Sequence, residues 1–210
     1  MDKEYEKKID SFFMNDLKSI KSPKIIEFGV RYGVSTKKFI EICEINDGFL
    51  NSVDISDNNN VSSSKKWKFH HTRDDNFEYL DSALPRDVDL IYLDSFHDAK
   101  HIEKIFYHYF SFLKINGVFI FDDISWLPYL KNKKRNNFNC EINNQETFEK
   151  IIEIKSENNE IFDLLFSFVG SGSAKIIKKT SYPLKKSKNI QSRKFSIKNN
   201  LRKILRLFKQ

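Results

Sequence analysis

Acidic residues close or interrupt several short apolar runs of this chain, and chemistry can be read there first. KIIEFGV (24–30) contains Glu27, FLNSVD (49–54) ends at Asp54, DVDLIYLD (87–94) ends at Asp94, and GVFIFDDI (117–124) contains Asp122 and Asp123. Runs rich in Ile, Val, Leu and Phe of this length read as buried β-strands. Strands that alternate with helices build a mostly parallel sheet, and ligands bind such sheets at the carboxyl ends of the strands. Each strand would therefore deliver a carboxylate to one common edge. Asp94, Asp122 and Asp123 supply three hard oxygen donors from two strands expected side by side, a set suited to Mg2+ with water and substrate in the remaining positions. A hydroxyl held by such an ion loses its proton more readily.

The first strand breaks into a glycine turn, E-x-G-x-x-x-G, formed by Glu27, Gly29 and Gly33. Glycine lets the backbone approach a ligand closely because no Cβ intervenes. The helix that follows can be capped by Ser35 or Thr36. About twenty residues on, Asp54 stands where a carboxylate can accept from both hydroxyls of a ribose. In WKFHHTRDD (67–75), Asp74 or Asp75 could accept from an adenine amino group. Arg31 occupies a position where the dinucleotide fingerprint G-x-G-x-x-G needs glycine, so the turn lacks that pyrophosphate loop.

Taken together, E-F-G-V-R-Y-G, V-D-I-S, Y-L-D-S-F-H-D and V-F-I-F-D-D-I-S-W resemble the class I S-adenosylmethionine (SAM) dependent methyltransferases over roughly residues 20–180. They are most similar to the small-molecule O-methyltransferase branch that includes macrolide-sugar methyltransferases and cephalosporin hydroxylase-like proteins. The resemblance implies a Rossmann-like, doubly wound, mostly parallel seven-stranded sheet with an antiparallel edge hairpin. It implies a SAM site built from Glu27, Phe28, Gly29, Gly33, Ser35, Asp54, Ile55, Asp74 and Asp94, with Glu27 orienting the glycine loop and meeting the methionine end. In the metal-dependent members, D-x-x-H supplies a metal ligand and a general base, and an acidic pair after the next strand supplies two more ligands. Carried over, Asp94, Asp122 and Asp123 bind Mg2+ and His97 is the base, its ordinary imidazole range suiting proton transfer near neutrality. The expected activity is methylation of a hydroxyl on a sugar, a glycan precursor or a related small metabolite. The alternatives are an RNA or nucleotide methyltransferase and a SAM-binding protein without catalysis.

These residues need elements to hold them. Tyr5, Ile9, Phe12, Phe13, Leu17 and Ile20 recur at helical spacing, predicting an amphipathic helix over 5–20. A second helix follows the glycine turn. A third runs from Asp98 to Leu113, with Asn116-Gly117 as its stop. An irregular loop is expected over 125–146, then a helix at 147–157 and two strands joined by the Gly170–Ser173 turn. Trp126 and Tyr129 in the loop could stack on a sugar face, and Lys131, Lys133, Lys134 and Arg135 could meet an anionic group.

The 210 residues suit one α/β domain, expected over 1–180, with an appendage. All 29 acidic residues precede Lys175, whereas 13 of the 36 basic ones lie from there on. An acidic body therefore carries a basic extension, read as a linker (181–196) and a basic amphipathic helix (197–210). That helix suits peripheral contact with an anionic membrane better than nucleic acid, because an apolar stripe gains nothing from phosphate. No apolar run approaches the length of a membrane span, the N-terminus lacks a signal-type apolar core, and Cys43 and Cys140 have no metal-type spacing. A cytoplasmic protein, peripheral at the inner membrane face, is expected, with a homo-oligomer left open.

Overall fold

The computed structural model describes residues 3–124 and 138–190, together with Ile197, Leu201 and Ile204. The strands are β1 (Lys24–Phe28), β2 (Phe49–Asp54), β3 (Trp67–His71), β4 (Val88–Leu93), β5 (Leu113–Asp122), β6 (Phe162–Ser167) and β7 (Ser173–Lys178). They form one sheet in the order β3-β2-β1-β4-β5-β7-β6. The first five pair in parallel, while β7 runs antiparallel to both β5 and β6. The expected doubly wound sheet with an antiparallel edge hairpin is what forms. β1 and β4 are buried on both faces, as parallel strands covered by helices must be. The strand order reverses between them, which places the crevice for a ligand at their carboxyl ends.

The helices are α1 (Lys3–Ile9), α2 (Asn15–Lys18), α3 (Val34–Ile45), α4 (Phe77–Ala83), α5 (Ala99–Tyr109) and α6 (Phe138–Glu157). On one face of the sheet, Ile25, Leu90, Tyr92 and Ile120 pack with Ile9, Leu17, Phe39 and Ile42. On the other, Ile26, Phe28, Ile91, Phe119 and Phe121 pack with Phe106, Ile151 and Ile154. Successive strand residues point to opposite faces. Glu27 therefore shares the face of Ile25, and Asp122 the face of Ile120, toward α1 and α3.

Several boundaries differ from the sequence reading. The first helix is interrupted by a π-helical stretch over Asp10–Met14. α4, with only Leu80 buried, has too little apolar periodicity to announce itself. Asn116-Gly117 does not stop a helix: α5 ends at Tyr109, and the pair lies inside β5, where Asn116 takes φ 66° beside a register shift against β4. α6 begins well before residue 147 and replaces the second part of the expected loop. The remainder of that loop, with Trp126, Tyr129 and the basic cluster, lies outside the described residues.

Residues 181–190 are strapped to the body rather than free. Tyr107 donates to the Lys185 carbonyl at 2.7 Å, Asn158 exchanges hydrogen bonds with the Lys185 backbone, and Ser187 donates to Glu103 at 2.6 Å. Of the expected C-terminal helix, Ile197, Leu201 and Ile204 are described, all helical and exposed.

Candidate active site

The carboxyl ends of β1, β2, β4 and β5 bring the expected acids to one edge, yet their partners divide them into two groups. Around β1 and β2 the carboxylates are satisfied by the protein itself. Glu27 is 0% exposed and accepts from Ser35 (2.5 Å), Thr36 (2.8 Å) and Ser52 (2.7 Å). Burial pushes its carboxyl up to about 7, against the opposing pull of those hydroxyls. Glu27 thus ties α3 to β1 and β2. The expected contact with a ligand's methionine end is corrected, because no surface of Glu27 is left for it. Ser35 is corrected for the same reason: its hydroxyl is committed to Glu27, and Gly33 occupies the cap position. The ring of Phe28 is sealed in the core, 4.7 Å from that of Tyr109.

The glycines also have protein reasons. A Cβ on Gly29, at φ 95°, would stand 2.0 Å from the Asp94 carbonyl oxygen, and one on Gly33, at φ 71°, would meet Val61 at 2.3 Å. Gly29 therefore lets the end of β1 lie against the end of β4, a closeness also seen where the Asp94 amide donates to the Phe28 carbonyl at 2.8 Å. Asp54 accepts from the amides of Val30 (2.8 Å) and Arg31 (3.1 Å) on Oδ2, and from Ser56 (2.8 Å) on Oδ1. It pins the glycine turn to β2, and Oδ1 keeps one acceptor position. Ile55 beside it is 65% exposed. Asp74 lies past the end of β3, and its Oδ2 takes hydrogen bonds from Ser95 (2.5 Å) and His101 (2.9 Å). That oxygen is thereby tied to the β4 turn and to α5.

The β4–β5 side is different. Donor atoms of Asp94, His97 and Asp123 lie within 4.8 Å of one another, and all three residues are half-buried. His97 Nε2 stands 3.3 Å from Asp94 Oδ1 and 3.6 Å from Asp123 Oδ2. Asp98 caps α5 by accepting from the His101 amide, as expected, and so fixes the turn that carries His97. Asp123 adopts φ 54°, a left-handed conformation costly for a non-glycine residue, immediately after β5. Burial and the neighbouring Asp122 raise Asp94 to about 6. Burial pulls the His97 imidazole down, but the hydrogen bond to Asp94 and the charges of Asp94, Asp123 and Asp122 push it up to about 9. These charges lift the imidazole above the ordinary range from which the base role was read; as a ligand to a cation, His97 would give up that proton.

Asp122 does not join the cluster. It is 1% exposed and faces α1, where Oδ1 accepts from Lys8 (2.5 Å) and Ser173 (2.8 Å) and Oδ2 from Tyr92 (2.7 Å). Of the expected metal set, Asp94 and Asp123 come together with His97, while Asp122 points away from them. Two carboxylates and an imidazole suit a divalent cation whose remaining positions stay open.

Three residues of this region were not singled out as functional by the sequence: Tyr5, Lys8 and Tyr92. The Tyr5 hydroxyl donates to Asp94 Oδ2 at 2.9 Å and stands 3.0 Å from the Tyr92 hydroxyl. The signal was faint. Tyr5 and Lys8 share a helical face with Ile9, which put a lysine at the border of an apolar stripe.

Residues 26–124 match a family described as a methyltransferase domain, a span that runs from within β1 to just past β5 and contains Asp94, His97 and Asp123. The matched span is just under half of the chain, and the sheet is the Rossmann-like methyltransferase fold. Solved structures share that fold. The SAH-bound methyltransferase PaMTH1 of Podospora anserina aligns with a TM-score of 0.61 at 17% identity, covering 80% of this chain and 76% of that one. MycE, from the mycinamycin biosynthetic pathway, in complex with Mg, SAH and mycinamycin VI, aligns at 0.57 and 16% identity over 79% of this chain and 47% of its own. A Staphylococcus aureus protein designated a caffeoyl-CoA O-methyltransferase aligns at 0.58 and 18% identity, with 78% of each chain covered. At these identities the likeness is one of fold. No curated protein matches the sequence.

Proposed function

We propose that this protein is a methyltransferase that moves the methyl group of SAM to a hydroxyl oxygen of a small molecule, with a divalent cation held by Asp94, His97 and Asp123. The observation that carries the reading is that cluster: three ligand-type side chains with mutually frustrated charge, at the switch point of the sheet. The Mg and SAH recorded in MycE agree with it. The acceptor class, a sugar, glycan precursor or related metabolite, follows from the resemblance to O-methyltransferases of that kind.

On the cofactor side, the open acceptor position on Asp54 Oδ1 suits a ribose hydroxyl, and the exposed Ile55 gives an apolar surface for an adenine ring. The turn through Gly29 and Gly33 lines the approach. A divalent cation on the cluster would act as a Lewis acid toward the acceptor hydroxyl. Asp94 and Asp123 would aim the acceptor oxygen along the line of displacement, which is the main demand of methyl transfer. Tyr5 holds Asp94 in place by donating to its Oδ2. The reaction breaks the sulfonium carbon–sulfur bond, forms a carbon–oxygen bond, and releases a thioether and the hydroxyl proton.

Calorimetry with SAH on the full chain tests the cofactor half. Binding at micromolar concentration, weakened at least tenfold in Asp54→Ala, is expected. Turnover of labelled SAM on hydroxyl acceptors tests the other half. Turnover that survives both chelation and Asp123→Asn would remove the cation from the reaction, and absence of SAH binding would remove the cofactor site.

A further inference from the structure

Lys8 is buried beside the cluster but is not one of its ligand-type side chains. Its ammonium, 1% exposed, donates to Asp122 Oδ1 at 2.5 Å and to Ser171 Oγ at 2.8 Å, and stands 3.8 Å from Asp123 Oδ1. Tyr92 and Ser173 complete the shell of Asp122. The two adjacent acids are thereby split. Asp122, the last residue of β5, points with Ile120 toward α1, while Asp123 turns through its left-handed backbone toward Asp94 and His97.

We infer that Lys8 is a positioning residue for the cation site: it withholds Asp122 from the ligand set and lowers the site's affinity by placing a fixed positive charge beside Asp123. This rests on the cation reading proposed above. Two features of Lys8 support it. A buried ion pair is a weak source of stability compared with apolar packing of the same volume, so the core around Ile9, Leu17 and Tyr92 gains little from a lysine. A unit charge within about 4 Å of a ligand atom, even in a partly exposed site, is enough to shift the binding of a divalent ion by about tenfold. The pair Lys8–Asp122 is neutral overall, so the cation meets only the charges of Asp94 and Asp123, with His97 as a neutral ligand. Without Lys8, it would meet one more carboxylate and one less ammonium.

The test is Mn2+ binding to the full chain, followed by the paramagnetic resonance signal of the free ion up to millimolar concentration, which reads affinity without any turnover. Lys8→Met is expected to tighten binding at least tenfold, and Lys8→Arg to leave it within threefold of the parent. Lys8→Met combined with Asp122→Asn removes both charges and should return binding to the parent value. Asp122→Asn alone, with Lys8 left uncompensated beside Asp123, should weaken binding severalfold. Unchanged or weaker binding in a folded Lys8→Met protein would overturn the inference. If that variant does not fold, unchanged binding in Asp122→Asn overturns it instead. A parent protein that binds no Mn2+ at millimolar concentration overturns the cation reading itself, whereas a parent that binds together with an indifferent Lys8→Met overturns only the role of the lysine.

Discussion

The two halves of the strand-end edge use the same residue type to opposite purposes. Around β1 and β2, Glu27 and Asp54 meet hydroxyls and backbone amides that satisfy most of their lone pairs, so these carboxylates are fasteners. Around β4 and β5, Asp94 and Asp123 face each other across an imidazole whose pKa they distort, so that region holds a charge imbalance a ligand can relieve. A carboxylate at a strand end therefore says little about function until its partners are known; crowded like charges set the β4–β5 half apart.

The sharpest way to break this contrast is a crossed pair of substitutions. Asp123→Asn should lower turnover at least about a hundredfold while leaving the melting temperature within a few degrees. Glu27→Ala strands three buried hydroxyls and should cost about 3 kcal/mol in urea unfolding. If Glu27→Ala instead leaves stability intact and abolishes turnover, the division is wrong.

A second prediction uses pH. The folded value for Glu27, about 7, lies above its ordinary 4.5, so its contribution is fully present below pH 4.5 and is lost as pH rises through 7. Stability of the parent should fall across that window, and Glu27→Gln, which has no proton to lose, should flatten the slope when unfolding is measured at several pH values. An identical slope in both proteins would contradict the burial of this carboxyl. The smallest effect is expected at Asp75, whose partners Arg73 and Lys104 are both largely exposed. Asp75→Asn should change unfolding free energy by about 1 kcal/mol or less and leave SAH binding unaltered, making it a control for acids that belong to neither half.

Much of this was legible in the sequence because strands covered on both faces leave a simple record. The apolar runs of β1, β4 and β5 and the acids after them were readable from residue type alone, as was the order that brings them to one edge. What escaped depends on facts a linear pattern does not carry. Asn116-Gly117 has the same composition whether it stops a helix or makes an irregularity in a strand. Asp122 and Asp123 read as a pair, although the alternation of a strand sends neighbours to opposite faces and only one could reach the cluster. The shift of His97 arises from Asp94 and Asp123 together, and the second of these lies 26 positions away in sequence. Lys8 was hidden more thoroughly, since a lysine in an amphipathic helix ordinarily belongs to its wet side.

The contact between Lys8 and Asp122 joins residues 114 positions apart. During synthesis the first helix emerges long before the strand it must meet, and its buried ammonium has no counterion until β5 has left the ribosome. Lys8 and Asp122 can therefore pair only once β5 has been made, so the geometry around Asp123 rests on a long-range contact rather than on any local segment.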